Sequence, residues 1–301
     1  MKLPELSIIT VNYNGINDTL MMIESVLSNL THEVEIIVVD NGSLHDESAL
    51  LKEKYPFVKA IRSSRNLGFA GGNNLGYKHS IGKYILFLNN DTILKDDSLR
   101  FLIETLKSNP RVAGVSPKIL YNDELGRIQY AGYTELSSIT IRNKTIGNNE
   151  KDFGHYDITA PTAYLHGAAM LVKREVIEDV GMMPECYFLY YEEMDWSAQI
   201  KKAGYELMYE PRSVVYHNES SSTGKDSPLK IYYMTRNRLL YAWRNRCGLK
   251  RIISLIYLAL IATSKDIVKF AVGLRFDLVK ATFTGCLDFY RLQTVKTEEY
   301  D

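Results

Sequence analysis

Between Leu6 and Leu106 the chain alternates two hydrophobic periodicities, and that alternation leaves few folds open to it. Leu6–Val11 (LSIITV), Val34–Val39 (VEIIVV), Val58–Ile61 and Tyr84–Leu88 (YILFL) are short apolar runs rich in β-branched residues, the pattern of strands buried on both faces. Between them, Asp18–Leu30 sets Leu20, Ile23, Val26, Leu27 and Leu30 on one helical face. Asp46–Lys54 reads as a shorter helix, Asn73–Ile81 as a third and Leu99–Leu106 as a fourth, with Asp96 or Asp97 as its N-cap and Pro110 beyond its end. Repeated strand–helix–strand units require parallel pairing with right-handed crossovers. The expected class is α/β, Rossmann-like, with a mostly parallel central sheet flanked by helices. Ligands of such sheets bind at the carboxyl ends of the strands.

Three of those ends are polar. The first strand runs into Thr10-Val11-Asn12-Tyr13-Asn14-Gly15, the second into Asp40-Asn41-Gly42-Ser43, and the fourth into Asn89-Asn90-Asp91-Thr92. Asp after a buried strand is an ordinary turn former, but neighbouring parallel strands would gather these ends into one polar cleft with two carboxylates. Such oxygens suit a hard divalent cation, Mg²⁺ or Mn²⁺, and that ion suits a diphosphate. Between the second and fourth ends lies Arg65-Asn66-Leu67-Gly68-Phe69-Ala70-Gly71-Gly72-Asn73-Asn74. Its glycines allow close backbone approach to a ligand and Arg65 can neutralise a phosphate; the same residues also read as a glycine-rich turn before a helix. NYNG, not GxGxxG, follows the first strand, and no GKS or GKT is present, so the dinucleotide and Walker A signatures are absent.

The pattern changes after residue 112. Residues 112–172 read as short strands and Tyr-rich loops, Glu192–Ala203 as a helix, Tyr205–Tyr209 and Val214–His217 as two short strands, and Ser220–Ser227 as a flexible loop. His217 is either a hydrogen-bonded surface histidine or a metal ligand, imidazole being compatible with Mn²⁺. Glu192, Glu193 and Asp195 are either favourable charges on a helix dipole or a crowded set that lifts a carboxylate toward neutral pH for base work. His166-Gly167-Ala168-Ala169 is small enough for close approach of a ligand or for tight strand packing.

Lys plus Arg and Asp plus Glu number 36 each, which counts against a dedicated nucleic-acid binder. That average conceals two halves. Residues 229–291 carry twelve Lys and Arg against Asp266, Asp277 and Asp288, a net +9, so the remainder is −9. This basic stretch is helical and amphipathic, with Leu239, Leu240, Trp243 and Ile252–Ala262 as its apolar part. It reads as a membrane-surface helix facing anionic lipid, or alternatively as a helical subdomain or homodimer contact. Cys186, Cys247 and Cys286 form no CxxC pair, which favours a reducing compartment over a disulfide framework or structural zinc. The N-terminus, MKLPELSIITVNYNG, is no signal peptide, and no run reaches the roughly 18–20 apolar residues of a membrane span. A cytoplasmic location is expected.

In order and spacing, IITVNYNG, VVDNGS, NLGFAGGNN and FLNNDT resemble family 2 glycosyltransferases with a GT-A fold. HGAAMLVKREV (166–176), YFLYYEEMDWSAQIKKAGYEL (187–207) and VVYHNESSSTG (214–224) continue the likeness, which spans residues 5–245 and is strongest to the rhamnosyltransferase-like branch of bacterial surface polysaccharide (O-antigen) synthesis. The resemblance implies a catalytic domain over residues 1–228, with a nucleotide-binding half (1–110) and an acceptor half (111–228), then a basic helical region (229–301). It implies metal-dependent, inverting transfer of a hexosyl group such as rhamnose from a dTDP- or UDP-sugar to a lipid-linked glycan, by a protein peripheral on the inner face of the cytoplasmic membrane.

Carried over residue by residue, the resemblance puts Asp40, Thr10, Asn12 and Asn14 at the nucleoside. It puts Arg65, Gly71, Gly72 and Asn73 near the nucleoside and diphosphate, with Asn90 beside the donor. Asp91 stands as the metal ligand of a DxD-like element whose first position here is Asn89, and His217 is the second ligand for Mn²⁺ or Mg²⁺. His166, Gly167, Ala168, Glu192 and Trp196 would line the acceptor and sugar pocket. Glu193 occupies the base position where Asp is usual, with Asp195 as the alternative. Two other classes compete. A sugar nucleotidyltransferase wants a glycine-rich phosphate loop where NYNG stands, and a non-catalytic glycan- or partner-binding protein would not need both Asp91 and a base.

Overall fold

The computed structural model describes residues 4–30, 33–123, 125–218 and 227–298. The chain forms two compact units, one comprising Met1–Thr134, Lys144–Phe188 and Glu192–Glu219, the other Glu135–Asn143, Leu189–Tyr191 and Ser220–Asp301.

The first unit is built on one mixed sheet of ten strands. Its parallel part is β1 (Leu6–Asn12), β2 (Val34–Asp40), β3 (Lys59–Arg62) and β4 (Tyr84–Leu88), in the order β3-β2-β1-β4. Beyond β4 come β9 (Ala169–Lys173), β6 (Val112–Tyr121), β10 (Glu206–His217) and β5 (Thr92–Ile93), with β7 (Ile128–Tyr130) on β6 and β8 (Ala160–Pro161) on β10. β9 runs antiparallel to both β4 and β6, whereas β6 and β10 are parallel. Alternate residues of each central strand feed two separate cores, as the two-residue period of a strand demands. Ile8, Val38 and Leu86 face one core, and Ile9, Ile37 and Phe87 the other, where Trp196 and Ile200 also lie.

The helices on this sheet are α1 (Ile16–Asn29), α2 (Glu47–Lys54), α3 (Gly68–Lys78), α4 (Leu99–Ser108), α5 (Arg174–Val180) and α6 (Glu192–Lys202). Most follow the periodicity closely, but α3 starts five residues before the expected Asn73. The glycines that read as loop are therefore helical and buried. A Cβ on Gly72 would stand 2.8 Å from Val11 Cγ1, and one on Gly76 2.4 Å from Ile9 Cγ2. Glycine lowers helix propensity, yet here it lets α3 lie directly on β1, and packing wins over propensity.

Two smaller expectations also change. The residue capping α4 is Ser98, whose own N–H is accepted by Asp96 Oδ1 at 3.0 Å. The two short strands expected at residues 205–209 and 214–217 are one strand, β10, because a register shift between Glu210 and Val214 absorbs Pro211, Arg212 and Ser213. Of the expected Ser220–Ser227 loop, all but Ser227 lies outside the described residues; Ser227 Oγ caps the following helix by accepting from Lys230 N–H at 3.2 Å.

The second unit is helical: α7 (Pro228–Asn245), α8 (Gly248–Ile256), a π-helical turn (Tyr257–Ala262), α9 (Thr263–Val272) and α10 (Phe276–Glu298). Gly285 lets α10 approach α7 closely, since a Cβ there would meet Tyr232 O at 2.6 Å. Among the described residues, no helix is long and apolar enough to cross a membrane.

Gly76→Ala should lose about 1–3 kcal/mol in urea denaturation from overpacking against Ile9. Gly273→Ala, where a Cβ meets only ordinary contacts from 3.5 Å outward, should change stability by less than about 0.5 kcal/mol.

Candidate active site

The parallel register sets Asn12 opposite Asp40 at the ends of β1 and β2. Both are buried. Asn12 accepts from Thr19 Oγ1 at 2.8 Å and donates to Glu47 Oε2 at 2.5 Å, so it locks α1 and α2 to the end of β1. Asp40 Oδ1 accepts from Ser43 N–H at 3.0 Å, and its Oδ2 lies 3.6 Å from Arg62 Nε. Arg62 also reaches Asp46 at 3.0 Å. Asn14 takes a left-handed φ of +52° and exchanges hydrogen bonds with the β2 loop, donating its N–H to Ser43 Oγ (2.9 Å) and accepting Leu44 N–H (2.8 Å). The Thr10 hydroxyl is buried without a hydrogen-bond partner among the described residues.

Asn41 ties this end to the start of α3. Its Oδ1 accepts Leu67 N–H at 3.0 Å, and its Nδ2 donates to Asn66 Oδ1 and to Gly68 O, both at 3.1 Å. Arg65 lies exposed in this loop, its backbone carbonyl bound by Ser63 Oγ at 2.7 Å. Asn73 is turned inward and donates to Phe69 O at 3.0 Å, a bond within α3. Gly71, Gly72 and Asn73 thus serve the packing of this helix instead of forming an open phosphate loop.

The second cluster forms where β5 pairs antiparallel with the end of β10, setting Thr92 opposite His217. Asp91 Oδ1 lies 3.1 Å from His217 Nε2, with both side chains about one-tenth exposed. His217 Nδ1 faces Gln129 Oε1 at 2.8 Å, so the imidazole is held between Gln129 on one nitrogen and Asp91 on the other. Gln129 was not visible as a site residue in the sequence, because β7 brings it here through pairing with β6. Two ligands at right angles, each about 2.1 Å from a divalent ion, stand about 3 Å apart, the spacing seen here. One carboxylate and one imidazole fit Mn²⁺ or Mg²⁺ that completes its coordination with other oxygens; among the described residues, no set of three His, Cys, Asp or Glu could hold an ion unaided. Asp18 in α1 also senses this cluster: burial and then the Asp91 charge raise its carboxyl above the usual range. Asn90 faces α1, where its Nδ2 donates to Thr19 Oγ1 (3.1 Å) and Gly15 O (3.3 Å).

His166-Gly167-Ala168 joins the two clusters. Ala168 O accepts Asn89 N–H at 2.9 Å, the His166 ring lies 6.5 Å from that of His217, and a Cβ on Gly167 would touch Phe69 at 3.7 Å. His166 stacks on Tyr133 and accepts Ala168 N–H on Nδ1. Burial, followed by the neighbouring His217, pushes its pKa down to about 3, so the ring is neutral.

α6 carries the carboxylates. Glu192 and Asp195 are buried and Glu193 is half-buried. Burial raises the Glu193 pKa to about 7, although its own N–H and that of Met194 pull the other way. Asp195 Oδ1 accepts from Gln199 at 3.2 Å. Trp196 belongs to the core instead of a sugar pocket: its ring meets Phe87 edge to face and its Nε1 donates to Gly181 O at 2.8 Å.

A mixed sheet with polar residues at the ends of β1, β2 and β4 and a helix of carboxylates beside it gives this chain the fold of GT-A glycosyltransferases. The chain belongs to glycosyl transferase family 2, whose profile matches residues 7–181. It is 27% identical over 248 residues to the low-salt glycan biosynthesis hexosyltransferase Agl10 of Haloferax volcanii, covering 79% of this chain and 75% of that one. It is 24% identical over 224 residues to N-acetylglucosaminyl-diphospho-decaprenol L-rhamnosyltransferase of Mycobacterium tuberculosis, covering 64% of this chain and 69% of that one. Among solved structures, the mannosyltransferase PcManGT from Pyrobaculum calidifontis in complex with GDP-Man and Mn²⁺ shares the fold, with TM-score 0.59 and 16% identity over 98% of this chain and 87% of that one. S. aureus TarS 1-349 in complex with UDP-GlcNAc does so with TM-score 0.58 and 15% identity, over 92% and 79%.

A carboxyl whose pKa rises from 4.5 to about 7 on folding binds its proton more tightly in the native state, so stability falls as pH climbs through that window and is lowest above it. Glu193→Gln should therefore be more stable than the native protein at pH 8, by the order of 1–3 kcal/mol, and nearly equal to it at pH 4. Thermal unfolding at the two pH values measures this.

Proposed function

We propose that this protein transfers a sugar, such as rhamnose, from a dTDP- or UDP-linked donor to a hydroxyl of a lipid-linked glycan, with inversion at the anomeric carbon. The observation that carries this is the half-buried Glu193 carboxylate, held near neutrality on a family 2 glycosyltransferase fold. As the acceptor oxygen attacks the anomeric carbon, the bond to the diphosphate oxygen breaks and Glu193 takes the acceptor's proton. A base whose pKa lies near the working pH is matched to that transfer. Asp195 and Glu192 support this helix turn, and Gln199 already engages Asp195.

Asp40, Asn12, Asn14 and Thr10 form the nucleoside end, and Arg65 is exposed to meet the diphosphate. Asp91 and His217 are the pair to hold Mn²⁺ or Mg²⁺, with Gln129 holding the other nitrogen of the His217 ring. When bound, the ion neutralises charge on the departing nucleoside diphosphate. The name of one relative supports the acceptor class, since it is N-acetylglucosaminyl-diphospho-decaprenol L-rhamnosyltransferase.

A lipid-linked acceptor calls for contact with a membrane, and the α8–α9 segment has the surface for it. Leu249, Ile253, Ile256 and Leu260 form an exposed stripe along α8 and the π-helical turn. At about 100° per residue, Val268 and Val272 would fall on the flank of that stripe. The π-helical turn takes one extra residue and rotates them back onto it, and both are exposed. Lys250, Lys265 and Lys269 are exposed around this stripe, which matches an anionic bilayer surface. We place the protein on the inner face of the cytoplasmic membrane.

Incubation with a panel of dTDP-, UDP- and GDP-sugars, scored by release of the nucleoside diphosphate, should identify one donor. Asp91→Ala should then lower turnover at least 100-fold and Glu193→Gln at least 1000-fold. Turnover should rise about tenfold per pH unit up to about pH 7 and level off above it, as ionisation of Glu193 requires. Full turnover by Glu193→Gln would remove the base.

In flotation, the full chain should rise with vesicles containing phosphatidylglycerol, and Ile253→Glu/Leu260→Glu should reduce recovery at least tenfold. Equal recovery of the two proteins would dismiss the membrane face.

A further inference from the structure

The residues leading into α6 adopt a backbone that bulky L-residues avoid. The φ angle is +66° at Phe188, +68° at Tyr190 and +77° at Tyr191. Each such residue is strained, so the surrounding structure must over-determine all three. Phe188 O is held by Phe69 N–H at 2.7 Å, at the start of α3. The next two residues answer to a different group. Asn237, fully buried on α7, donates its Nδ2 protons to Leu189 O at 2.7 Å and to Tyr190 O at 2.9 Å. Its Oδ1 accepts Arg236 Nε at 2.8 Å, so the amide is oriented as well as buried. The Tyr191 ring then packs on Tyr241, one turn along α7, at 5.9 Å. Glu192 and Glu193 follow directly in the chain.

We propose that Asn237 is a positioning residue for the catalytic carboxylate: by clamping two successive carbonyls it holds the left-handed entry into α6 and so fixes where Glu193 stands. This rests on Glu193 being the base. The body of α6 has its own anchor, because Trp196 is locked into the core by Gly181 O and Phe87. The work left to Asn237 is confined to the entry turn, which is the turn that carries Glu192 and Glu193. Only a side chain with two protons on one nitrogen satisfies both carbonyls. Asp at this position would set a carboxylate against them.

Hydrogen exchange of the full-length protein tests the clamp without any substrate. Asn237→Ala should speed exchange at least tenfold in peptides covering residues 188–193, with the β1 and β4 amides unchanged. Uniform acceleration throughout the sheet, or none at residues 188–193, overturns the proposal. Kinetics with the donor identified by the panel test the consequence. Asn237→Ala should lower kcat at least tenfold while the donor KM moves less than threefold. In a Tyr190→Gly background, where the left-handed backbone carries no steric cost, the same substitution should lower kcat less than threefold. An equal penalty in both backgrounds shows that the strained segment is not what Asn237 serves. If Asn237→Ala does not fold, Asn237→Ser, which keeps a single donor, carries both comparisons. Full activity of Glu193→Gln would sink the base assignment itself; an inactive Glu193→Gln with no coupling between positions 237 and 190 would sink only the clamp.

Discussion

Two residues of β-structure bring together the carboxylate and imidazole proposed to hold the metal ion. After β4 the chain turns at Asn89, with the Thr92 hydroxyl donating to Asn89 O at 2.6 Å, and β5 then runs antiparallel against the last residues of β10. That pairing leaves Asp91 beside His217, a residue far along the chain. β10 reaches this point because it stays paired with β6 on both sides of its register shift, through a proline that would end most central strands. Further back, the parallel β1–β2–β4 core fixes the starting points of all three polar ends.

The same principle of burial produces opposite outcomes among the carboxylates. Glu210 is fully buried, and burial alone would raise its pKa, but Arg212, Thr105 and Thr159 outweigh that and hold it below the ordinary range. Asp152, paired with the buried Lys118 at 2.8 Å, behaves likewise. For Glu193, desolvation outweighs the backbone N–H groups of Glu193 and Met194 at its own helix start, and its affinity for a proton rises. Carboxylates that stabilise the fold are given cationic or hydroxyl partners. In the one proposed to accept a proton, desolvation prevails.

Much of this was legible in the residues. The four parallel strands and α1, α2, α4 and α6 follow periodicity to within a few positions, because burial on one or both faces writes itself into the apolar pattern. The polar strand ends were legible for the same reason, as interruptions of that pattern. The glycines of α3 misled, since glycine signals a loop unless one knows that Val11 and Ile9 lie beneath. Trp196 misled in the other direction, its position next to the acidic cluster suggesting a ligand pocket when its indole is buried. Gln129, Asn41 and Asn237 were silent. Each acts through contacts set by strand order or helix packing, and nothing in the local sequence marks an amide that will meet a partner far along the chain.

The π-helical turn has a consequence for how this segment can vary. It holds one residue more than an α-helix of the same rise would. Deleting one residue between Tyr257 and Ala262 would let the turn close into regular α-helix with the side chains beyond it in the same register, whereas closing it at full length would swing every side chain beyond it by about 100°. In the second case Val268 and Val272 would leave the stripe. Along this helix, the winding of a single turn is itself a determinant of surface chemistry, and a one-residue gap that removes the π-helical turn keeps the face that its conversion at full length would lose.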